Sequence, residues 1–400
     1  MTECFVYNPE AFDPLDILPK PLHKFADDAR YFVHKIYEHR VFRRRCREDF
    51  VPLKSEYLTE VMSERKYTTI RTHLLTNGVV LSDGYWIRGR KAIGYRLGDA
   101  LNKSKHRKII LSNPRIIKKL AILEENLAKS IKLDTHKHLH KYLKQVGIDY
   151  ESAVMEIDDD FNSNELSAAM IRDKAFFFKP DIYGRVHTNL SNLKSSLRKH
   201  LTWNGEHLWN VDIANSQPLF FGLLLLYWYT NKGYLNSFNL PPLILPLRSD
   251  ILPSDVDKFV KLVEMGKLYE YIAVKGKIET ESRKILKKKL FAEIFFCRNK
   301  PYQSKNEILF EGLFPEVYKV IRELKKKDYT FLSKQLQRVE SSFVINLVVR
   351  RCMNEHPDMP IFTIHDSVMT TKANADIVKG IMVEEFANYG VEPKLRLESC

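Results

Sequence analysis

Cysteine is scarce in this chain and never paired. Cys4, Cys46, Cys297, Cys352 and Cys400 lie far apart with no Cys-x-x-Cys spacing. That excludes a disulfide framework and a thiolate zinc site, and it fits a reducing compartment. No apolar run is long enough to cross a bilayer, and acidic residues are in deficit: 64 Lys and Arg against 50 Asp and Glu, a formal charge of +14. A chain this basic calls for a polyanionic partner, and without a spanning run nucleic acid suits it better than lipid. The opening residues, Met1-Thr2-Glu3-Cys4-Phe5, lack the basic start and apolar centre of a secretory leader. The expected location is therefore the cytoplasm of a bacterial or virus-infected cell. At 44% apolar over 400 residues, two or three domains are expected.

The pattern along the chain changes several times. The first fifty residues end in Arg43-Arg44-Arg45-Cys46-Arg47, which reads either as a solvated helix face or as a phosphate contact. Over 53–97 two short helices are expected, 55–62 and 67–76, stopping at Asn77-Gly78. The runs "GVVLSD", "GYWIRGR" and "IGYRL" then read as strands punctuated by Gly84, Gly89 and Gly94. Helices followed by such a hairpin resemble a winged helix-turn-helix, with Arg88, Arg90, Lys91 and Arg96 on or near the wing where they would hold phosphates. A small α+β appendage using those charges for solubility reads the same residues equally well. Lysine-rich helical periodicity runs over 107–154, and "EIDDDFNSN" reads as a linker whose acids belong to a surface loop. From 176 onward strand-like runs alternate with long helical stretches. The natural class is α+β with an antiparallel sheet.

"FTIHDSVMT", residues 362–370, puts an aspartate inside a stretch that otherwise reads as a buried hairpin. Aspartate is disfavoured in strands and costly to desolvate, so Asp366 belongs either to an ordinary Asp-Ser turn or beside a cation. Asp212 is in the same predicament, at the end of the strand in "HLWNVDIANSQPLFFGLLLL". Two such carboxylates on neighbouring strands repel each other unless a divalent ion lies between them. Between them in sequence, "SRKILKKKLFAEIFF" places Arg283, Lys287, Phe291 and Phe295 every fourth residue. On a helix this predicts one stripe of two cations and two rings, fit for a triphosphate and a base.

These segments together resemble the right-hand polymerases, that is, family A DNA polymerases and single-subunit phage-type RNA polymerases. "VDIANSQ" is similar to motif A, the Arg283-to-Phe295 series to motif B and "TIHDSV" to motif C. "YGRVHTNLSNL" and "LQRVESSFV" resemble the segments that precede motifs A and C. All five stand in the family's order. The resemblance implies an antiparallel palm sheet and helical fingers over 176–400, a helical thumb-like region over 101–175, and the winged-helix-like module within 1–100. It implies that Asp212 and Asp366, with the carbonyl of Ile213, hold two Mg2+ ions, or Mn2+ in their place. Lys287 and Arg283 would contact the incoming triphosphate, and Phe291, Phe295 and Gln217 would border the nucleotide. His365 and Gln337 would approach the primer terminus, and Arg185 and His187 would touch template or primer.

The chain departs from the family at the positions that read the sugar. Gln217 stands where family A DNA polymerases carry a ribose-excluding Glu, Phe295 where motif B commonly has Tyr, and Ser367 where motif C usually has Glu. The expected function is template-directed nucleotidyl transfer on DNA template and primer with nucleoside triphosphates, as a compact DNA polymerase replicating a plasmid, phage or mobile element. An RNA polymerase or primase is the nearest alternative. A non-catalytic DNA-binding initiator is the alternative of another class, and a metal-dependent nuclease leaves the cation and ring stripe unexplained.

Overall fold

The computed structural model describes residues 3–42, 50–102, 104–157, 163–230, 252–278 and 283–400, with the backbone alone at 41, 42 and 283. The arginine run at 43–47 and the acids at 158–160 lie outside the described residues. The chain is α+β, and its sheets are built on antiparallel pairings among the described residues. It divides into two compact units, one of residues 1–133, 148–175 and 192–197, the other of 134–147, 176–191 and 198–400. Among the described residues no helix is long and apolar enough to cross a membrane.

The first unit pairs Phe5–Pro9 with His106–Ile110. Helical periodicity was the expectation from 107 onward; instead 106–110 is a strand, because its partner lies at the far end of the unit, where a local pattern cannot register it. The helix Ala26–Phe42 is followed by Val51–Pro52, by the helices Ser55–Thr59 and Glu64–Thr76, and by the strands Val80–Ser82 and Gly94–Leu97. The three strands form a sheet with Gly94–Leu97 in the middle. The stop at Asn77-Gly78 is where expected: Gly78 takes φ +67, which costs a residue without Cβ nothing, and its amide closes on Leu75. The run "GYWIRGR" forms no strand, only a turn closed by an Ile87–Lys91 bridge. Asp83 accounts for that turn by accepting from the Tyr85 and Gly94 amides and pairing with Lys91 at 2.9 Å. Phe32 packs edge-on to Tyr95 and stacks on Tyr67, centring the core.

The second unit is built on the strand Glu206–Ile213. Ser367–Thr371 pairs along one edge of it and Leu395–Ser399 along the other, while Phe362–Ile364 extends the sheet beyond Ser367–Thr371 and Leu201–Trp203 pairs with its start. The helix Ser216–Thr230 is apolar on every side and accordingly buried, against Ser254–Glu264 and Phe331–Ser341. The helix Lys372–Ala387 packs on the central strand, and Phe386 stacks on Phe343 with 3.9 Å between ring centroids. Asp134–Leu143, before the expected boundary at 176, belongs to this unit.

Candidate functional site

The hairpin that raised the question has a two-residue loop, His365-Asp366, between Phe362–Ile364 and Ser367–Thr371. Such loops require positive φ, normally supplied by Gly or Asn. Here His365 takes φ +55, a conformation that costs a bulky side chain on the order of 1 kcal/mol or more. The Ser367 hydroxyl donates to the Ile364 carbonyl and braces the turn. Asp366 is thereby held at the end of the hairpin that pairs with the Asp212 strand.

The register sets Asp212 directly opposite Ser367, one residue from Asp366. Burial and then the Asp366 carboxylate push Asp212 up to about 6, against the pull of Arg396 and Lys287. The two aspartates, 154 positions apart by 366 − 212, are therefore electrostatic neighbours. Arg396 stands opposite Asp212 on its other side, in Leu395–Ser399. Just beyond Asp212, an opening of about 450 Å³ at Ala214 is lined by Lys267, Lys394 and Arg396. Glu270 is the one acid among its lining residues.

Lys287 is exposed on the helix Arg283–Leu290, its ammonium 6.0 Å from the Phe291 ring centroid. The alignment of cation and ring expected from the spacing is present for this pair. The Arg283 side chain lies outside the described residues. Phe295 does not continue an exposed stripe: it is 2% exposed and packs edge-on against Phe221 and Phe310. The helix buries Leu286, Leu290 and Ile294, and past Leu290 it widens into a π-turn whose end sinks into that apolar face. Phe291 is half-buried, its ring stacked on that of Phe296.

One functional candidate was not singled out from the sequence. Glu340, 1% exposed on the helix Phe331–Ser341, pairs with Arg185 at 2.6 Å and accepts from the Gln217 amide. Burial pushes it up to about 7, against the Arg185 guanidinium. The available signal was its position in the stripe of Leu332 and Leu336, four residues apart, where a carboxylate needs a partner. Arg185 is therefore engaged inside the unit rather than extended toward a ligand. It follows a turn in which Gly184 takes φ +89 and any Cβ would come within 2.9 Å of the Ser341 hydroxyl. The same hydroxyl donates to the Tyr183 carbonyl.

His187 pairs with Asp181 at 3.0 Å, and its ring centroid lies 6.1 Å from that of His365. Burial and the nearby Arg185 hold His365 down to about 4. Gln337 is half-buried on the same helix as Glu340. Arg88 and Arg90 are exposed in the first unit, where Lys91 is held by Asp83.

Among the described residues no three His, Cys, Asp or Glu side chains converge as a metal cage. Two adjacent carboxylates nevertheless fit Mg2+, which uses one or two protein carboxylates and completes its shell with water and phosphate oxygens.

No protein-family model matches the chain, and no curated protein matches it. Among solved structures it is similar to the POL domain of Pol1 from M. smegmatis, determined in complex with DNA primer-template and dNTP. The TM-score is 0.31 at 13% identity, over 71% of this chain and 52% of that one. The chain thus spans about half the length of the chain it matches. A score that low assigns no fold, and the site is interpreted from its own geometry.

Proposed function

We propose that the chain is a template-directed nucleotidyltransferase, a compact DNA polymerase of right-hand architecture with residues 176–400 as palm and fingers and 101–175 as the thumb-like region. The observation that carries this reading is the pairing of Asp212 and Asp366: two acids from distant segments brought together at a hairpin end, amid Lys287 and Arg396, where the Asp366 carboxylate disfavours the charge on Asp212. A protein gains nothing in stability from such a pair. A divalent ion bound to a polyanionic substrate gives it a purpose.

Asp212, Asp366 and the Ile213 carbonyl would hold Mg2+, or Mn2+ in its place. When bound, such ions activate the attacking oxygen and steady the leaving pyrophosphate. The protein's own part is positioning. Lys287 and Arg283 would receive the triphosphate, and the half-buried Phe291 would border the base. His365, fixed at its turn, and Gln337 would approach the primer end. The Arg185–Glu340–Gln217 group would brace the floor beneath the nucleotide, leaving Arg185 to act through Glu340. Phe295 would support Phe291 from below.

The test is metal-dependent incorporation on primed and unprimed single strands, with dNTPs and rNTPs offered separately. Primer-dependent dNTP incorporation that disappears in Asp212→Asn and in Asp366→Asn is the expected result. Strong rNTP use without a primer would favour the RNA polymerase or primase reading, to which Ser367 and the neutral Gln217 lend support. Incorporation by neither set of nucleotides, with DNA binding intact, would leave a non-catalytic initiator.

A further inference from the structure

The second unit buries a lysine that the catalytic reading does not use. Lys325 stands at the C-terminal end of the helix Pro315–Leu324 and is 3% exposed, yet among the described residues it forms no ion pair. A buried ammonium is costly unless a counter-charge compensates it. Glu307, the acid that acts on it electrostatically, is already engaged: its carboxylate accepts from the Ser304 amide at 2.8 Å and from the Tyr318 hydroxyl at 3.2 Å. What the Lys325 amine meets instead is the Ile294 carbonyl and, 3.7 Å away, the sulfur of Cys297.

The contact between that amine and the sulfur is held by bonds other than its own. Cys297 is half-buried just past the π-turn Phe291–Phe295, and its thiol donates to the Glu293 carbonyl. The residues after it are tied to the helix end that carries Lys325. The Asn299 side-chain amide donates to the Arg322 carbonyl at 2.8 Å, and the Arg322 guanidinium donates to the Lys300 carbonyl at 3.2 Å. No disulfide joins the described cysteines. The group placed to resolve an oxidised sulfur at Cys297 is therefore an amine.

We infer that Cys297 and Lys325 are a modification site for peroxide, joined by it in a thiol-reversible crosslink, a sulfenamide between Sγ and Nζ. In the first step hydrogen peroxide transfers one oxygen to the thiol: the O–O bond breaks, sulfur is oxidised to the sulfenic acid, and water leaves. In the second the neutral Lys325 amine attacks that sulfur. The N–S bond forms, the S–O bond breaks, and the hydroxyl departs with an amine proton as a second water, so no further oxidant is consumed. Burial suits the amine to this step, because it pushes Lys325 below its ordinary range against the pull of Cys297 and Glu307 and so favours the uncharged form. Two molecules of a small thiol restore the free thiol and amine and leave as a disulfide, which makes the bond transient in a reducing compartment. The crosslink ties the π-turn that carries Phe291 and Phe295 to the helix Pro315–Leu324. This site goes beyond the catalytic reading and does not depend on it.

The experiment is peptide mass spectrometry of the full chain after treatment with hydrogen peroxide, alkylation without reductant and digestion with trypsin. The expected product is residues 290–298 joined to 323–326, lighter by about 2 Da than the two peptides together because two hydrogens are lost. The second peptide ends at Lys326 because the bonded Lys325 no longer directs cleavage. Dithiothreitol should abolish the joined product. Lys325→Met keeps the length of the side chain and removes the nucleophile, so the sulfenic acid should persist there and be captured by dimedone several-fold more than in the parent. Cys297→Ser should give neither product, and Cys400→Ser should give the joined peptide as the parent does. The parent decides the matter by itself, whether or not a variant folds well. The inference is overturned if Cys297 of the parent stays an unmodified thiol, or if dimedone captures it in the parent as fully as in Lys325→Met with no joined peptide. A joined peptide that survives dithiothreitol overturns the N–S bond.

Discussion

The guanidinium of Arg185 lies 2.6 Å from the carboxylate of Glu340, and that carboxylate also takes the amide of Gln217. Three segments far apart in sequence thus meet at one buried acid, beside the hairpin that carries Asp366.

Removing one partner of a buried pair strands the other, at a cost of about 3–5 kcal/mol, so Glu340→Ala should lower the urea midpoint sharply. Glu340→Gln keeps the shape and a hydrogen-bonding group and should cost less. The pH dependence has a definite sign. Glu340 is raised from 4.5 to about 7 in the fold, so its contribution is fully present below about pH 4.5 and is lost as pH rises through 7. Urea titrations from pH 5 to 7.5 should show a decline in the parent that Glu340→Gln reduces. A parallel decline in both proteins would mean that Glu340 is ionised throughout.

Asp212 and Asp366 should bind metal as a pair. Mg2+ or Mn2+ should raise the melting temperature of the parent, because a ligand that binds the folded state stabilises it. In chelator Asp212→Asn should melt no lower than the parent, having lost a like-charge neighbour, and it should gain nothing when metal is added. A variant that responds to Mg2+ as the parent does would place the ion elsewhere.

Phe291 and Phe295 should separate in their effects. Phe295→Ala empties a site between Phe221 and Phe310 and should cost about 3–5 kcal/mol of stability. Phe291→Ala, at a half-buried ring, should cost less than half as much while raising the KM for nucleotide. Equal destabilisation by the two would show Phe291 to be a packing residue alone.

The first unit should have its own acid sensitivity. Asp27 accepts from the amides of Ser112 and Asn113 at 2.8 and 2.7 Å and from Arg30 at 2.9 Å. Burial acts to raise its pKa, but the Asn113 amide, Arg30 and the Ser112 amide outweigh burial and hold it below the usual 3.8. The stabilisation is therefore present above about pH 3.8 and lost as pH falls through the lower folded value. Asp27→Asn should cost about 2 kcal/mol at neutral pH and flatten the acid limb of the unfolding curve.

Local chemistry made much of this legible. The strand that carries Asp212, the apolar helix after Asn215 and the Asn77-Gly78 stop each follow from residues adjacent in sequence, whose steric and solvation preferences act over a few positions. Lys287 and Phe291 align because a helical repeat alone fixes their spacing.

What the polypeptide order could not specify was which distant groups meet. His106–Ile110 is a strand because Phe5–Pro9 pairs with it, Phe295 is buried because Phe221 and Phe310 cover it, and Arg185 is occupied because Glu340 lies beneath it. Arg396 became part of the surroundings of Asp212 only through strand register. Periodicity reports which face of an element is apolar; desolvation and charge pairing depend on what packs against that face, and packing is decided in three dimensions.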